Sequence, residues 1–292
     1  MDYFLDIVIM AGIYSILVLS ANLTVGMANL FTLCQAAFYG IGAYMGAFFL
    51  LHFNLPFTLV ALAVMLVAGA ASLLLSFASN RLKGDFFMLA TLGFQALFSA
   101  ILFNWDSVTG GDKGIKGIPS IRLAGVLPLE EDWAFFVFLL LIVIMTALLF
   151  FFMLRSPFGR ALRSIRTDEL ATEALGRNTF ALKAWAFFLS AAFAGLAGLL
   201  YASFAHGIHP KQFSLDCSIL ILTALFVGGA GDHVRGPVIG AVAIAILQEV
   251  FEFFDLPAKL DSGNLNQILY GLTLIALMFR RPLGAVSQKS SK

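Results

Sequence analysis

The sequence predicts an all-α polytopic membrane protein of about 8–9 membrane-crossing segments, some of them interrupted or half helices. Three observations carry this. Sixty per cent of the residues are hydrophobic and only 12% are charged, with a mean hydropathy of +0.93; a soluble chain of that composition would expose large apolar patches. Several runs exceed the roughly 18 apolar residues that a bilayer-spanning helix needs. Those runs lack the alternating period of a membrane barrel, so a closed sheet is not supported.

Taken in order, the spans are Phe4–Val25, Leu33–Leu51, Phe57–Ala78, Phe86–Phe103, Trp133–Leu154, Ala184–Phe204, Ser218–Val227, Gly236–Phe254 and Leu265–Phe279. Their ends are approximate, and the seventh is too short to cross alone. Together they form a single transmembrane domain over residues 1–292. No cleavable leader is expected, because the start carries Asp2 and Asp6 instead of a basic region.

Lysine and arginine placement sets the orientation. Arg81 and Lys83 follow the third span. Arg155, Arg160, Arg163, Arg166, Arg177 and Lys183 follow the fifth, and Arg280, Arg281, Lys289 and Lys292 follow the last. These three regions are expected on the cytoplasmic side, which puts the C-terminus there. The loop 104–132, with Asp106, Asp112, Glu130, Glu131 and Asp132, then lies outside. The side of the N-terminus depends on whether Leu33–Leu51 makes a full crossing.

Two places interrupt the helical pattern. One is Gly26-Met27-Ala28-Asn29, followed by a small-residue helix that includes Gly40 and Gly42. The other is Gly228-Gly229-Ala230-Gly231, followed by Gly236-Pro237 and Gly240. Bare backbone in hydrocarbon is costly, so broken helices persist only where protein or a water-filled path covers them. Paired interruptions in two halves of a chain point to a translocation route; the alternative is that Gly and Ala only permit close packing.

Residues 155–183 hold much of the chain's charge and read as two short helices. Ser156 can cap the first, with Pro157 at its first helical position, where the missing N–H costs nothing. Thr167 or Asp168 can cap the second, with Glu169 near its positive end. Gly176 can end it in a left-handed conformation. Leu170, Ala174 and Leu175 make a small apolar stripe. The segment is either a solvated loop or a docking helix for a cytoplasmic partner.

Nothing in the sequence performs bond chemistry. There is no Gly-x-x-x-x-Gly-Lys-Ser/Thr phosphate loop, no hydrolase elbow and no Ser-His-Asp pattern. Cys34 and Cys217 give no disulfide framework or metal spacing. His52, His206, His209 and His233 read as structural or interfacial. No catalytic residue, metal site or cofactor is therefore expected. Glu249 and Glu252 fall near the outer interface, Asp216 at the mouth of the seventh span, and Asp232 and Arg235 at a turn. The polar groups at mid-membrane are neutral: Asn22, Thr91 and Gln95. Such groups serve more often as hydrogen bonds between helices than as ligand contacts. An ion-coupled carrier keeps ionisable groups at that depth, so the chain reads as a conduit without its own motor.

Four stretches resemble the permease subunits of branched-chain amino acid ATP-binding-cassette importers. The first is Asn22 to Tyr44, with Gly26, Ala36-Ala37-Phe38 and Gly40-Ile41-Gly42-Ala43-Tyr44. The second runs from Leu82-Lys83-Gly84 through Thr91-Leu92-Gly93-Phe94 and Asn104-Trp105 to Thr109-Gly110-Gly111 and Gly117-Ile118-Pro119. The third is Arg155-Ser156-Pro157-Phe158-Gly159-Arg160-Ala161-Leu162, closed by Glu173-Ala174-Leu175-Gly176. The fourth is Gly228-Gly229-Ala230-Gly231 with Gly236-Pro237-Val238-Ile239-Gly240-Ala241. The chain departs from the family pattern at Asn29, Gln35, Asp232, His233 and Arg235.

The resemblance implies a bacterial inner-membrane permease that pairs with a second, similar permease. Two cytoplasmic ATP-binding subunits dock below, and a periplasmic binding protein delivers substrate. Thr167, Asp168, Glu169, Leu170, Glu173, Ala174, Leu175 and Gly176 look like the coupling helix. In that role the leucines and Ala174 are buried by the ATPase, and Asp168, Glu169 and Glu173 meet its basic groups. Arg160, Arg163 and Arg166 are expected to hold the preceding helix at the anionic membrane surface. Asn22, Gly40, Gly42, Thr91, Gln95, Gly228, Gly229 and Gly231 are the candidates for the translocation pathway. The expected cargo is a branched-chain or related hydrophobic amino acid. Urea, amides or small aromatic acids are alternative cargoes, and an ion-coupled carrier acting alone is the alternative mechanism.

Overall fold

The computed structural model describes residues 2–53, 55–81, 85–119, 122–123, 127–128, 132–231 and 234–253. The expected last span, Leu265–Phe279, lies outside the described residues, as do Lys83, Asp232, His233, Phe254, Arg280, Arg281, Lys289 and Lys292.

The architecture is all-α. In chain order the helices are α1 (Asp2–Ala21), α2 (Gln35–His52), α3 (Phe57–Arg81), α4 (Asp85–Asn104), α5 (Asp106–Thr109), α6 (Asp132–Arg155), α7 (Pro157–Thr167), α8 (Glu169–Ala174), α9 (Thr179–Ala205), α10 (Leu215–Gly228) and α11 (Arg235–Phe253). Among the described residues, five helical stretches are long and apolar enough to cross a membrane: Leu5–Met27, Phe57–Phe77, Phe86–Asn104, Trp133–Arg155 and Thr179–Ala205. Four of these match the expected spans within about two residues. The exception is α9, which starts at Thr179, before the expected Ala184. Asn178 caps it by accepting from the Ala181 N–H at 3.0 Å, so the helix begins before the apolar run does. Lys183, expected in a basic loop, therefore lies inside α9 and is buried.

Helix α9 is the centre of the bundle. Its apolar window is 83% buried, whereas that of α6 is 22% buried, so α6 is peripheral and presents Leu141, Met145 and Phe152 outward. Helices α2 and α3 pack along α9, and α1 packs against α6, α9 and α11. The contact of α2 with α9 is backbone against backbone. A Cβ on Gly42 would overlap Gly195 backbone, and one on Gly198 would overlap the Tyr39 carbonyl. Small residues let the helices approach this closely.

Two short sheets lie in the loops. Strand β1 (Ile115–Lys116) pairs with β4 (Gly207–Ile208), and β2 (Arg122–Leu123) pairs with β3 (Leu127–Pro128). The first pairing joins the loop after α5 to the loop after α9. His206 helps close it, its Nδ1 lying 3.0 Å from the Ile118 carbonyl; His209 caps the turn before α10 by accepting from the Lys211 N–H. Helix α6 runs from the first of these loops to residue 155, and α9 runs back from residue 179 to the second. The 104–119 loop and the α7–α8 segment therefore occupy opposite ends of the bundle.

Candidate coupling site

Helix α7 is the amphipathic element at its end of the bundle. Gly159, Ala161, Leu162 and Ile165 face inward, while Arg160 and Arg166 are exposed. Pro157 occupies the first turn as expected. Ser156 takes the N-cap position as expected, but its side chain makes no cap bond: its hydroxyl donates to the Met153 carbonyl at 2.6 Å, at the end of α6.

Asp168 is the N-cap of α8, accepting from the Ala171 N–H at 3.0 Å. Thr167, the alternative cap, donates to the Arg163 carbonyl. Gly176 has φ 77° and follows the last turn in the left-handed region, as expected. Among the described residues the apolar stripe is uncovered: Leu170 is 67% exposed and Leu175 83% exposed, and Ala174 is exposed too. The inward face of α8 is Thr172.

Two carboxylates of the α8 segment also bond to α9, while Asp168 and Glu173 stay exposed. Lys183 Nζ donates to Glu169 Oε1, and Thr179 Oγ1 donates to Glu173 Oε1 at 2.6 Å. A buried ammonium needs an anionic partner, and Glu169 is its ion-pair partner among the described residues. Both bonds run to the first turns of α9, so α8 is tied to the central helix.

The two interruptions are real and they touch. Helix α1 continues as a π-helical turn, Asn22–Met27, all of it buried. It ends in a wide closure, Leu30 N–H to the Thr24 carbonyl at 3.0 Å, with Asn29 at φ 54°. Single π turns inside α-helices occur often at functional sites. Helix α10 has only 14 residues, about 21 Å at 1.5 Å per residue, too short to span. It breaks at Gly229 and Gly231, with φ 109° and 93°. Across this junction the Gly231 N–H donates to Asn22 Oδ1 at 2.9 Å. A Cβ on Gly26 would lie 2.7 Å from the Gly231 nitrogen.

Arg166 completes the junction. Its Nη1 donates to the Gly26 carbonyl at 2.7 Å. That carbonyl lies in the last turn before the chain leaves helical conformation, where carbonyls lose their intrahelical partners and the helix dipole favours a cation. The bond is charge-assisted, a class roughly twice as strong as neutral hydrogen bonds. Arg166, an exposed residue, thus also bridges the α7–α8 segment to the break in α1.

The other pathway candidates are buried within the bundle. Thr91 Oγ1 accepts from the Leu33 N–H at 3.1 Å and donates to the Met88 carbonyl at 2.8 Å. Gln95 Nε2 donates to the Phe213 carbonyl at 2.8 Å, and its Oε1 lies 3.5 Å from Ser218 Oγ. Gly40 packs against Phe98 and Phe213, Gly42 against Gly195, and Gly228 against Gly236 and Gly240. These polar groups thus do the bridging work that neutral mid-membrane residues usually do.

A family model described as "Branched-chain amino acid transport system / permease component" matches residues 3–278. The chain belongs to this permease family. It is 32% identical over 301 residues to the high-affinity branched-chain amino acid transport system permease protein LivM of Salmonella typhimurium and to that of Escherichia coli strain K12. Each alignment covers 96% of this chain and 69% of the relative. A probable branched-chain amino acid transport permease protein LivM of Methanocaldococcus jannaschii is 24% identical, over 72% of this chain and 62% of its own length. The autoinducer 2 import system permease protein LsrC of Escherichia coli is 26% identical over 65% of this chain and 54% of its own length. No solved structure matches the chain. The chain is thus a multi-pass membrane permease component of a transport system.

Two features of this permease escaped sequence reasoning. One is the role of Lys183, hidden because a lysine beside an apolar run looks like a loop charge. The other is a buried bridge from α1 to α2 and α9. Gln35 Nε2 donates to Ser20 Oγ at 2.7 Å and to Ser190 Oγ at 3.4 Å, and Ser190 Oγ donates to the Ser20 carbonyl at 2.8 Å. Gln35 stands out in the sequence only as a departure from the family pattern.

Proposed function

We propose that this chain is the membrane-spanning permease subunit of an ATP-driven importer of the bacterial inner membrane. Its cargo is a branched-chain or related hydrophobic amino acid. ATP is hydrolysed on separate cytoplasmic subunits, two per assembly. These grip the chain through Thr167–Gly176, with a second, homologous permease alongside and a periplasmic binding protein delivering substrate. The C-terminus is cytoplasmic, on the side of α7 and α8. Loop 104–132 is periplasmic, and 155–183 is the coupling segment of the single domain 1–292.

The observation that carries this reading is the exposed pair Leu170 and Leu175 on a capped helix that is tied to the bundle core. Exposed leucines on a capped helix at the end of the bundle are what a protein partner would cover. The absence of a phosphate-binding loop from the sequence agrees with a motor on another chain. The amino-acid cargo rests on relatives named for it that align with 96% of the chain. Asn22, Gly40, Gly42, Thr91, Gln95, Gly228, Gly229 and Gly231 hold the helix breaks and close contacts that rearrange as access alternates.

A different cargo in the same machine is the second reading, favoured by the similarity to an autoinducer 2 import permease. Uptake of radiolabelled leucine by the reconstituted assembly, competed with isoleucine, valine, urea and short amides, tests the choice. Competition by the branched-chain amino acids alone supports the first reading, and competition by urea or amides overturns it.

A further inference from the structure

The junction of Asn22, Gly26, Gly231 and Arg166 does more than close a packing gap. Three elements distant in sequence meet there. Arg166 lies two residues before the α8 cap Asp168, in the last turn of α7. Its Nη1 reaches the carbonyl of Gly26, 140 residues away, at 2.7 Å. A Cβ placed on Gly231 would collide with that same nitrogen. The guanidinium thus sits against both helix breaks, which are already joined by the Gly231 N–H to Asn22 bond.

The far side of the α7–α8 segment is anchored separately. Glu169 holds Lys183 and Glu173 holds Thr179, both on α9. A push on α8 is therefore divided between two outlets: the central helix α9, and the interrupted ends of α1 and α10. Interrupted helices are the elements of a bundle with two accessible arrangements, and packed interfaces convert small shifts into switches between discrete states. The Arg166 to Gly26 bond is a direct hydrogen bond from α7 to the α1 break.

We infer that Arg166 is a positioning residue for transport: through its bond to the Gly26 carbonyl it makes the Asn22–Met27 and Gly228–Gly231 breaks follow the coupling segment. The inference rests on the proposed permease role. Lysine at 166 keeps the charge but offers a compact donor on a differently shaped stem, whereas glutamine keeps a donor and loses the charge.

The test uses the full chain in its assembly with the ATPase subunits, in nanodiscs and proteoliposomes, as wild type, Arg166→Lys and Arg166→Gln. Hydrogen–deuterium exchange is read on peptides covering residues 22–30 and 226–231. Uptake of radiolabelled leucine is read per ATP hydrolysed. Arg166→Gln is expected to raise exchange in both peptides while leaving α2 and α9 unchanged. Uptake per ATP should fall roughly tenfold, within the range of a typical coupling energy, with the ATPase subunits still co-purifying. Arg166→Lys, retaining the cation, should recover part of both signals. Unchanged exchange in Arg166→Gln overturns the inference, because the bond then holds nothing. Raised exchange with normal uptake per ATP also overturns it, leaving a static brace. Loss of co-purification overturns it too, making Arg166 a docking residue. Failure of the wild-type chain to bind the ATPase subunits, or to take up leucine with ATP, counts instead against the proposed function. The exchange measurement still reads the bond in that case.

Discussion

The backbone N–H of Gly231 donates to Asn22 Oδ1 at 2.9 Å, joining two helix breaks 209 residues apart in sequence. Asn22 is buried, 1% exposed, in the π turn that ends α1. Gly231 sits at φ 93°, in the turn between α10 and α11. Removing the acceptor leaves a part-buried backbone donor without it, at a cost of up to ~1–3 kcal/mol. Asn22→Leu should therefore lower the thermal midpoint of the detergent-purified chain. Ser15→Ala, which removes only a hydroxyl donating to the Ala11 carbonyl four residues back, should be within about 0.5 kcal/mol of wild type. Equal midpoints for wild type and Asn22→Leu would show that the bond adds nothing.

The Glu169–Lys183 pair should behave as a partly buried ion pair, with side-chain exposures of 31% for Glu169 and 8% for Lys183. Breaking a fully buried pair costs about 3–5 kcal/mol; exposure of the carboxylate reduces this, so Glu169→Gln should cost about 1–3 kcal/mol. Lys183→Met should restore much of that loss when combined with Glu169→Gln, since no charge is then left buried. Unfolding midpoints of the two singles and the double close the cycle. A double variant no more stable than Glu169→Gln alone would mean that Lys183 is hydrated.

Two glycines should respond with opposite signs. A Cβ on Gly93, in α4, meets nothing within 4 Å, so Gly93→Ala should stabilise by about 0.5–1 kcal/mol through helix propensity. A Cβ on Gly228 would overlap the Gly236 carbonyl, which forces α10 and α11 apart. Gly228→Ala should be destabilising, and both it and Gly229→Val should impair uptake, Gly229 being held at φ 109°. Thermal unfolding and leucine uptake on the same preparations check this; a neutral Gly228→Ala would mean that the helices separate at little cost.

What the sequence revealed and what it hid divide by distance along the chain. The Asp168 cap, Pro157 at a helix start, the left-handed Gly176 and the two Gly-marked breaks depend on neighbours within a few residues, and all were legible. Ser156 holds the expected N-cap position, yet its hydroxyl donates to the Met153 carbonyl of α6 and accepts no N–H of α7. The partners of Arg166, Glu169 and Asn22 lie 140, 14 and 209 residues away, and no local pattern encodes them. Periodicity also misled at Lys183, where the apolar run begins later than the helix does. The bonds of Glu169 and Glu173 to α9 were hidden because a six-residue helix, Glu169–Ala174, leaves no sequence trace of which side faces the bundle.

The most direct test of the central claim is leucine uptake by proteoliposomes, with and without the ATPase subunits and ATP, for wild type and Leu175→Asp. Leu175 is 83% exposed, so the substitution should not disturb folding, and a charge there should abolish docking to an apolar groove. The account predicts uptake by wild type only when ATPase and ATP are both present, and loss of uptake together with loss of ATPase co-purification for Leu175→Asp. Uptake by the chain alone on an ion gradient, or normal ATP-driven uptake by Leu175→Asp, would contradict it.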